Sequence, residues 1–404
     1  MIPAANTAIN FEFYEKTFLN FLDDWTRAQR TQTIEIKLYN YRNIKKMCGF
    51  LAKIKRNKRQ LTLHAQDIFT KTTGFEIRKI CKSLSRGKGV AVEHIEIFEC
   101  QKDLLTVIMK YLRKDKISEL LIGGNMIENT EAVQLLHWAK WSSLQRLELT
   151  RNNIGADAIE NIVSKPYWPN LEALSLRENE IGDHGARKLA ENNHWIDLRR
   201  LDLSENSIEL NGSIRLAGNS AWVNLQQLNL SNNNLGSIAV GRLAINDTWK
   251  KLKVLELYNC KIGPQGARWL SGNTSWKMLE VLDVSQNQIK AKGVGWLASN
   301  QSWKKLRVLN LSSNRIRSEG VRRLAANQSW SLLEELDLSH NRINYAGAEW
   351  LSMNTSWLKL KELHLELNHI GEPGKEALES MKVLRPHLRI MYRVKLNIDF
   401  CMPY

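Results

Sequence analysis

Apolar residues return along this chain with two short periods inside one long one. In SWKKLRVLNLSSNRI, Ser302 to Ile316, Leu309 and Leu311 lie two apart and share one face of a short strand. In the segments that follow each strand, Val294 and Leu297, or Ala267 and Leu270, lie three apart and share one face of a helix. The long period is the phrase L-x-x-L-x-L-x-x-N-x-I. It starts at Leu144, Leu171, Leu198, Leu225, Leu252, Leu279, Leu306, Leu333 and Leu360, each 27 residues after the last, and Ile117 extends the register upstream. Each unit therefore predicts one strand and one helix.

One strand and one helix cannot bury an apolar face alone, whereas stacked copies share a continuous core. Strands stack about 4.8 Å apart and helices need about 8–10 Å. The mismatch predicts a bent α/β solenoid, a horseshoe with parallel strands on the concave face and helices on the convex face. Asn152, Asn179, Asn206, Asn233, Asn287, Asn314, Asn341 and Asn368 follow the strands, where their amides can satisfy backbone groups of adjacent turns; Cys260 takes this place in one unit. Trp141, Trp168, Trp195, Trp222, Trp249, Trp276, Trp303, Trp330 and Trp357 recur at one phase and predict an aromatic spine where helix returns to strand.

This pattern resembles the leucine-rich repeat over residues 117–370. With G-A-x-x-L-A-x-N in the second half of each unit, it is most similar to the ribonuclease-inhibitor-like subclass. The chain divides into an N-terminal capping helix within residues 1–30, divergent basic repeats over 31–116, regular repeats over 117–370, and a C-terminal cap and tail over 371–404. The capping helix is read over residues 8–29 from the spacing of Phe18, Phe21, Leu22 and Trp25. The divergent repeats are read from Ile34 and Ile36, Leu61 and Leu63, and Ile95 and Ile97; a separate small domain is the alternative. A last helix is expected from Gly371 to Leu384 and a closing strand from Leu388 to Val394.

Composition adds little to the fold but shapes the partners. The 404 residues are 43% apolar, enough for a large core. No apolar run is long enough for a transmembrane helix, and no cleavable signal peptide is read. Five scattered cysteines without zinc spacing fit a reducing, cytoplasmic setting. N-x-S/T occurs at Asn246, Asn273, Asn300, Asn327 and Asn354, one repeat position seen five times, and is read as repeat architecture.

Candidate surfaces follow from the periods. The concave face is expected to present Arg146, Glu148, Arg177, Arg200, Asp202, Glu256, Tyr258, Asp283, Asp337, His364 and Glu366; the alternative is a solvated strand face. The convex face carries a stripe of Arg242, Trp269, Trp296, Arg323 and Trp350, which either binds a partner or covers itself with arginine stems. The net charge of +16 is concentrated in residues 30–90, which hold 16 Lys or Arg and 3 Asp or Glu. There, Lys45, Lys46, Lys53 and Arg56 form a candidate patch for nucleic acid or an anionic surface, or a solvated helix face. No phosphate loop, nucleophile elbow or H-E-x-x-H motif is present, so no catalytic residue, metal site or cofactor is expected. The nine histidines are dispersed; His340, His364 and His369 could cluster at the C-terminal end of the concave face, where the readings are polar surface, which is preferred, or a metal site.

The phrasing W-K-x-L-x-x-L-x-L-S-x-N-x-I, followed by G-A-x-W-L-A-x-N-x-S-W, resembles leucine-rich repeat effectors of Legionella-type intracellular bacteria. That resemblance implies a non-enzymatic, monomeric scaffold, delivered into a host cell without a cleaved signal peptide, that engages a host protein. An acidic concave face implies a basic patch on that partner. Two other functions stay open: an RNA- or ribosome-binding protein acting through the basic N-terminal region, and a GTPase-activating regulator.

Overall fold

The computed structural model describes residues 9–12, 33–39, 60–66, 94–98, 117–137, 141–164 and 168–392. They fall into two units, residues 1–206 and 207–404. In the first, β1 (Ile9–Glu12), β2 (Thr33–Tyr39), β3 (Gln60–Gln66), β4 (His94–Phe98), β5 (Glu119–Gly123), β6 (Arg146–Glu148), β7 (Ala173–Ser175) and β8 (Arg200–Asp202) pair in chain order, every pair parallel. The described helices of this unit are α1 (Asn129–His137), α2 (Ala156–Val163) and α3 (Gly182–Glu191).

The second unit repeats the scheme. Strands β9 (Gln227–Asn229), β10 (Val254–Glu256), β11 (Val281–Asp283), β12 (Val308–Asn310), β13 (Glu335–Asp337), β14 (Glu362–His364) and β15 (Arg389–Met391) are again parallel neighbours in chain order. Between them run α4 (Leu210–Ala217), α5 (Gly236–Ala244), α6 (Gly263–Ser271), α7 (Lys290–Ala298), α8 (Arg317–Ala325), α9 (Tyr345–Ser352) and α10 (Gly371–Glu379). The register pairs Leu282 with Leu309 and Leu309 with Leu336, so each strand meets its equivalent 27 residues away.

Two expectations change. Residues 9–12, assigned by spacing to a helix over 8–29, form β1, with Ile9 beside Ile34 and Phe11 beside Ile36. In INFE the apolar residues alternate, and that local period of two prevails over the helical spacing read further along. The rest of that segment lies outside the described residues. The last helix also tightens, its end becoming a 3₁₀ turn over Ser380–Val383.

The nine tryptophans are the largest fully buried side chains among the described residues, each no more than 1% exposed. Trp168 and Trp195 stack with ring centroids 5.8 Å apart and planes 14° from parallel. For the seven from Trp195 to Trp357, a buried asparagine three residues ahead fixes the turn. Asn300 Oδ1 accepts from the Ser302 and Trp303 amides at 2.8 and 3.1 Å, while Nδ2 donates to Ser271 and Asn273 carbonyls of the preceding repeat. The N-x-S/T positions are thus interior ladder rungs: Asn246, Asn273, Asn300, Asn327 and Asn354 are all at most 9% exposed.

The ladder after the strands is equally closed. Asn314 Oδ1 accepts from the Asn287 and Ile289 amides, and Nδ2 donates to Val284, Leu311 and Ser312 carbonyls. Cys260 keeps part of this pattern, its thiol directed to the Leu230 carbonyl at 3.2 Å, and burial pushes its pKa up to about 12. Such a thiol is held protonated and inert. Helix glycines let each helix approach the one before it closely. A Cβ at Gly293 would stand 2.5 Å from Ile289 Cγ2 and 3.1 Å from the Pro264 Cα.

Candidate functional site: the strand face

Alternation along each three-residue strand buries the central leucine and leaves its neighbours outward. The half-buried outward positions of β8, β11 and β13 are Asp202, Asp283 and Asp337. Each carboxylate also has a local duty. Oδ1 of Asp202 accepts from the Ser204 amide at 2.9 Å and its hydroxyl at 2.7 Å, and Asp283 binds Ser285 in the same way at 2.8 and 2.5 Å. Asp337 accepts from the Ser339 amide at 2.8 Å. Asn229 and Asn310 make the same bond to Ser231 and Ser312, so the geometry needs an acceptor and not a charge. The negative charge at three of these positions is therefore surplus to the local structure.

Burial raises the Asp283 pKa above the usual aspartate value, against the lowering effect of its Ser285 and Asn310 bonds, and neighbouring Asp337 raises it further. Asp283 Oδ2 accepts from Asn310 Nδ2 at 3.1 Å. Glu256 is half-buried on β10, and the Tyr258 amide donates to Ser231 Oγ at 3.2 Å.

In the first unit two of the candidate arginines, Arg146 and Arg177, are committed to neighbours. Arg146 pairs with Glu148 at 2.5 Å, and Arg177 with Glu178 and Glu205, both at 2.9 Å. Arg200 is exposed at the start of β8. At the far end of the second unit, His364 and Glu366 come together with two residues the sequence reading left out, Glu335 and Glu362. A signal was available, because those two glutamates occupy one repeat position in successive units.

The helix face differs. Trp269 is 48% and Trp350 41% exposed, while Trp296 is half-buried. Arg268 and Lys292 sit over the Trp296 ring at 5.6 and 5.3 Å, and Arg322 over Trp350 at 6.0 Å. The Trp269 ring lies on Gly241 and the Arg323 stem on Gly295, both glycines of the preceding helix. Arg323 and Arg322 also hold Glu319 at 3.0 and 2.9 Å, while Arg242 is exposed. Lys45, Lys46, Lys53 and Arg56 lie outside the described residues.

Comparison with known proteins now gives the class. A family model described as Leucine Rich repeat matches residues 142–163, 169–190, 277–298, 304–325, 331–352 and 358–378. A second, Leucine Rich Repeat, matches 224–243. The chain carries leucine-rich repeats, and its parallel strands alternating with helices are those of a leucine-rich repeat solenoid. Among solved structures it is similar to the Rad7 and Elc1 complex in yeast, at 16% identity and a TM-score of 0.54, over 87% of this chain and 88% of that one. It is also similar to the TLR13–ssRNA13 complex, at 19% identity and a TM-score of 0.50, over 89% of this chain. There it spans 45% of the other chain, less than half its length. At these identities the likeness is one of fold. A search of curated proteins finds no match. Among the described residues, no helix is long and apolar enough to cross a membrane.

Proposed function

We propose that this protein is a non-catalytic, monomeric binding scaffold of the ribonuclease-inhibitor-like subclass whose strand face engages a protein partner through a basic patch. One observation carries the reading. Asp202, Asp283 and Asp337 present carboxylates where Asn229 and Asn310 perform the same structural task without charge. Charge beyond structural need, fixed by the backbone, is what electrostatic complementarity uses to choose a partner. The repeat phrasing supports an effector of an intracellular bacterium acting on a host protein in the host cytoplasm.

The test is capture from eukaryotic lysate by the full chain, with and without nuclease, using wild type and the triple variant D202N/D283N/D337N. The substitution keeps the acceptor for each serine amide and removes only charge. The expected result is a nuclease-resistant protein partner whose affinity falls at least about tenfold in the variant, as loss of close charge pairs predicts. Unchanged affinity overturns the reading. Nuclease-sensitive capture replaces it with nucleic-acid binding through residues 30–90.

A further inference from the structure

Carboxylates converge on one imidazole at the C-terminal end of the second unit. Glu335 opens β13 and Glu362 opens β14, and the parallel register pairs them directly. His364 is two residues beyond Glu362, so alternation returns it to the same face. Its Nε2 lies 3.6 Å from Glu362 Oε2 and 3.9 Å from Glu335 Oε1. On the other side of the ring, Nδ1 lies 3.5 Å from Glu366 Oε1. Arg389 of β15 donates to the second Glu362 oxygen, leaving Oε2 toward the histidine.

These separations are too long for hydrogen bonds. Nε2 is closed to solvent and has no hydrogen-bond partner, and the same holds for Glu366 Oε2. His364 as a whole is half-buried, with 26% of its side chain exposed, but an unpartnered Nε2 facing two carboxylates is costly unless a water or an ion sits between them. The spacing states what fits. Zinc ligands bind at about 2.0–2.2 Å in tetrahedral directions, which sets the ligand atoms roughly 3.3–3.6 Å apart. Glu335, Glu362 and His364 offer ligand atoms within 4.8 Å of one another. Glu366, 3.5 Å from Nδ1, stands where a small closure makes the carboxylate–histidine hydrogen bond that keeps the other nitrogen's lone pair on a metal. Three carboxylates against one guanidinium also leave negative charge for a dication to balance.

We propose that Glu335, Glu362 and His364 bind a divalent transition-metal ion of the zinc class, with Glu366 as a positioning residue. The imidazole ligand favours such ions over magnesium or calcium. Three protein ligands leave a fourth tetrahedral position for water or a group from outside the chain. This site goes beyond the partner-binding reading and stands without it.

The test uses the full chain, stripped with chelator and titrated at neutral pH. Zinc is followed by calorimetry and cobalt by its tetrahedral visible absorption. The expected result is one saturable site in the wild type, lost in H364A and in H364Q, and unaffected by magnesium. E366Q keeps the cobalt spectrum but binds about tenfold more weakly, the usual effect of removing a carboxylate behind a metal-bound histidine. Circular dichroism shows that each variant remains folded. No saturable zinc binding in the wild type overturns the proposal. Zinc binding of equal strength in folded H364A also overturns it, assigning the ion to other histidines or cysteines.

Discussion

The strand face and the helix face of residues 207–392 solve the exposure of charge differently. On the strand face, short side chains are fixed by bonds to their own strand end or to the equivalent strand 27 residues away, as in Asp283 with Ser285 and Asn310. On the helix face, long side chains lie over neighbours, as Arg322 does over Trp350. A short, backbone-anchored carboxylate has little conformational entropy left to lose, so the strand face is the more preorganised of the two. Arginine stems and indoles that shield one another use the same chemistry to cover apolar surface.

The contrast between interior and helix-face indoles should give the largest effect. Trp303→Ala removes a fully buried side chain and should cost about 3–5 kcal/mol, whereas Trp269→Ala, at 48% exposure, should cost far less. Urea denaturation of the two variants decides it, and equal losses would mean that the two aromatic columns share one role. Next comes the strand-end ladder. Asn314→Ala leaves two amides and three carbonyls with one partner fewer. A loss of about 1–3 kcal/mol follows from unsatisfied buried groups, and a change within error would show that water replaces the amide.

The smallest effects are pH-dependent and opposite in sign on the two faces. Burial raises the folded-state pKa of Asp283, so its ionisation opposes folding above that pKa and the penalty vanishes as pH falls. D283N should therefore be at least as stable as wild type at pH 7, with the gap closing below about pH 4, the ordinary aspartate range. On the helix face, the Arg322 and Arg323 bonds lower the Glu319 pKa to about 2. Its stabilisation is present above the usual glutamate pKa and lost as pH falls toward that value, so E319Q should be slightly weaker at neutral pH and equal in strong acid. Because Glu319 is exposed, added salt should shrink the difference. Melting curves across pH that show both variants moving in the same direction would break the contrast.

Much of this was legible because the chain repeats itself. Leu309 and Leu311 announce a strand face, Val294 and Leu297 a helix face, and the spacing of Trp303 from its equivalents places it in the interior. The role of Asn300 was half legible: its recurrence marked architecture, but its bonds to Ser302, Trp303 and the preceding repeat needed coordinates. His364 and Glu366 were among the residues expected on the concave face. Glu335 and Glu362 were not, although Arg146 and Arg200 hold the same strand-opening position, because a glutamate there reads as ordinary polar surface until strand register sets it beside an imidazole. Ile9 and Phe11 were misjudged because four alternating residues are a weak signal beside a longer helical spacing.

Sequence by itself determined the period, the element types and the interior columns, since a 27-residue repeat leaves one way for each unit to bury its apolar stripe against the next. Tertiary structure alone decided which polar groups are spent and which remain. Whether a carboxylate is bound to a serine amide, an asparagine or an imidazole depends on rotamers and on register between strands far apart in the chain. Those are settled only when the neighbouring repeat is in place.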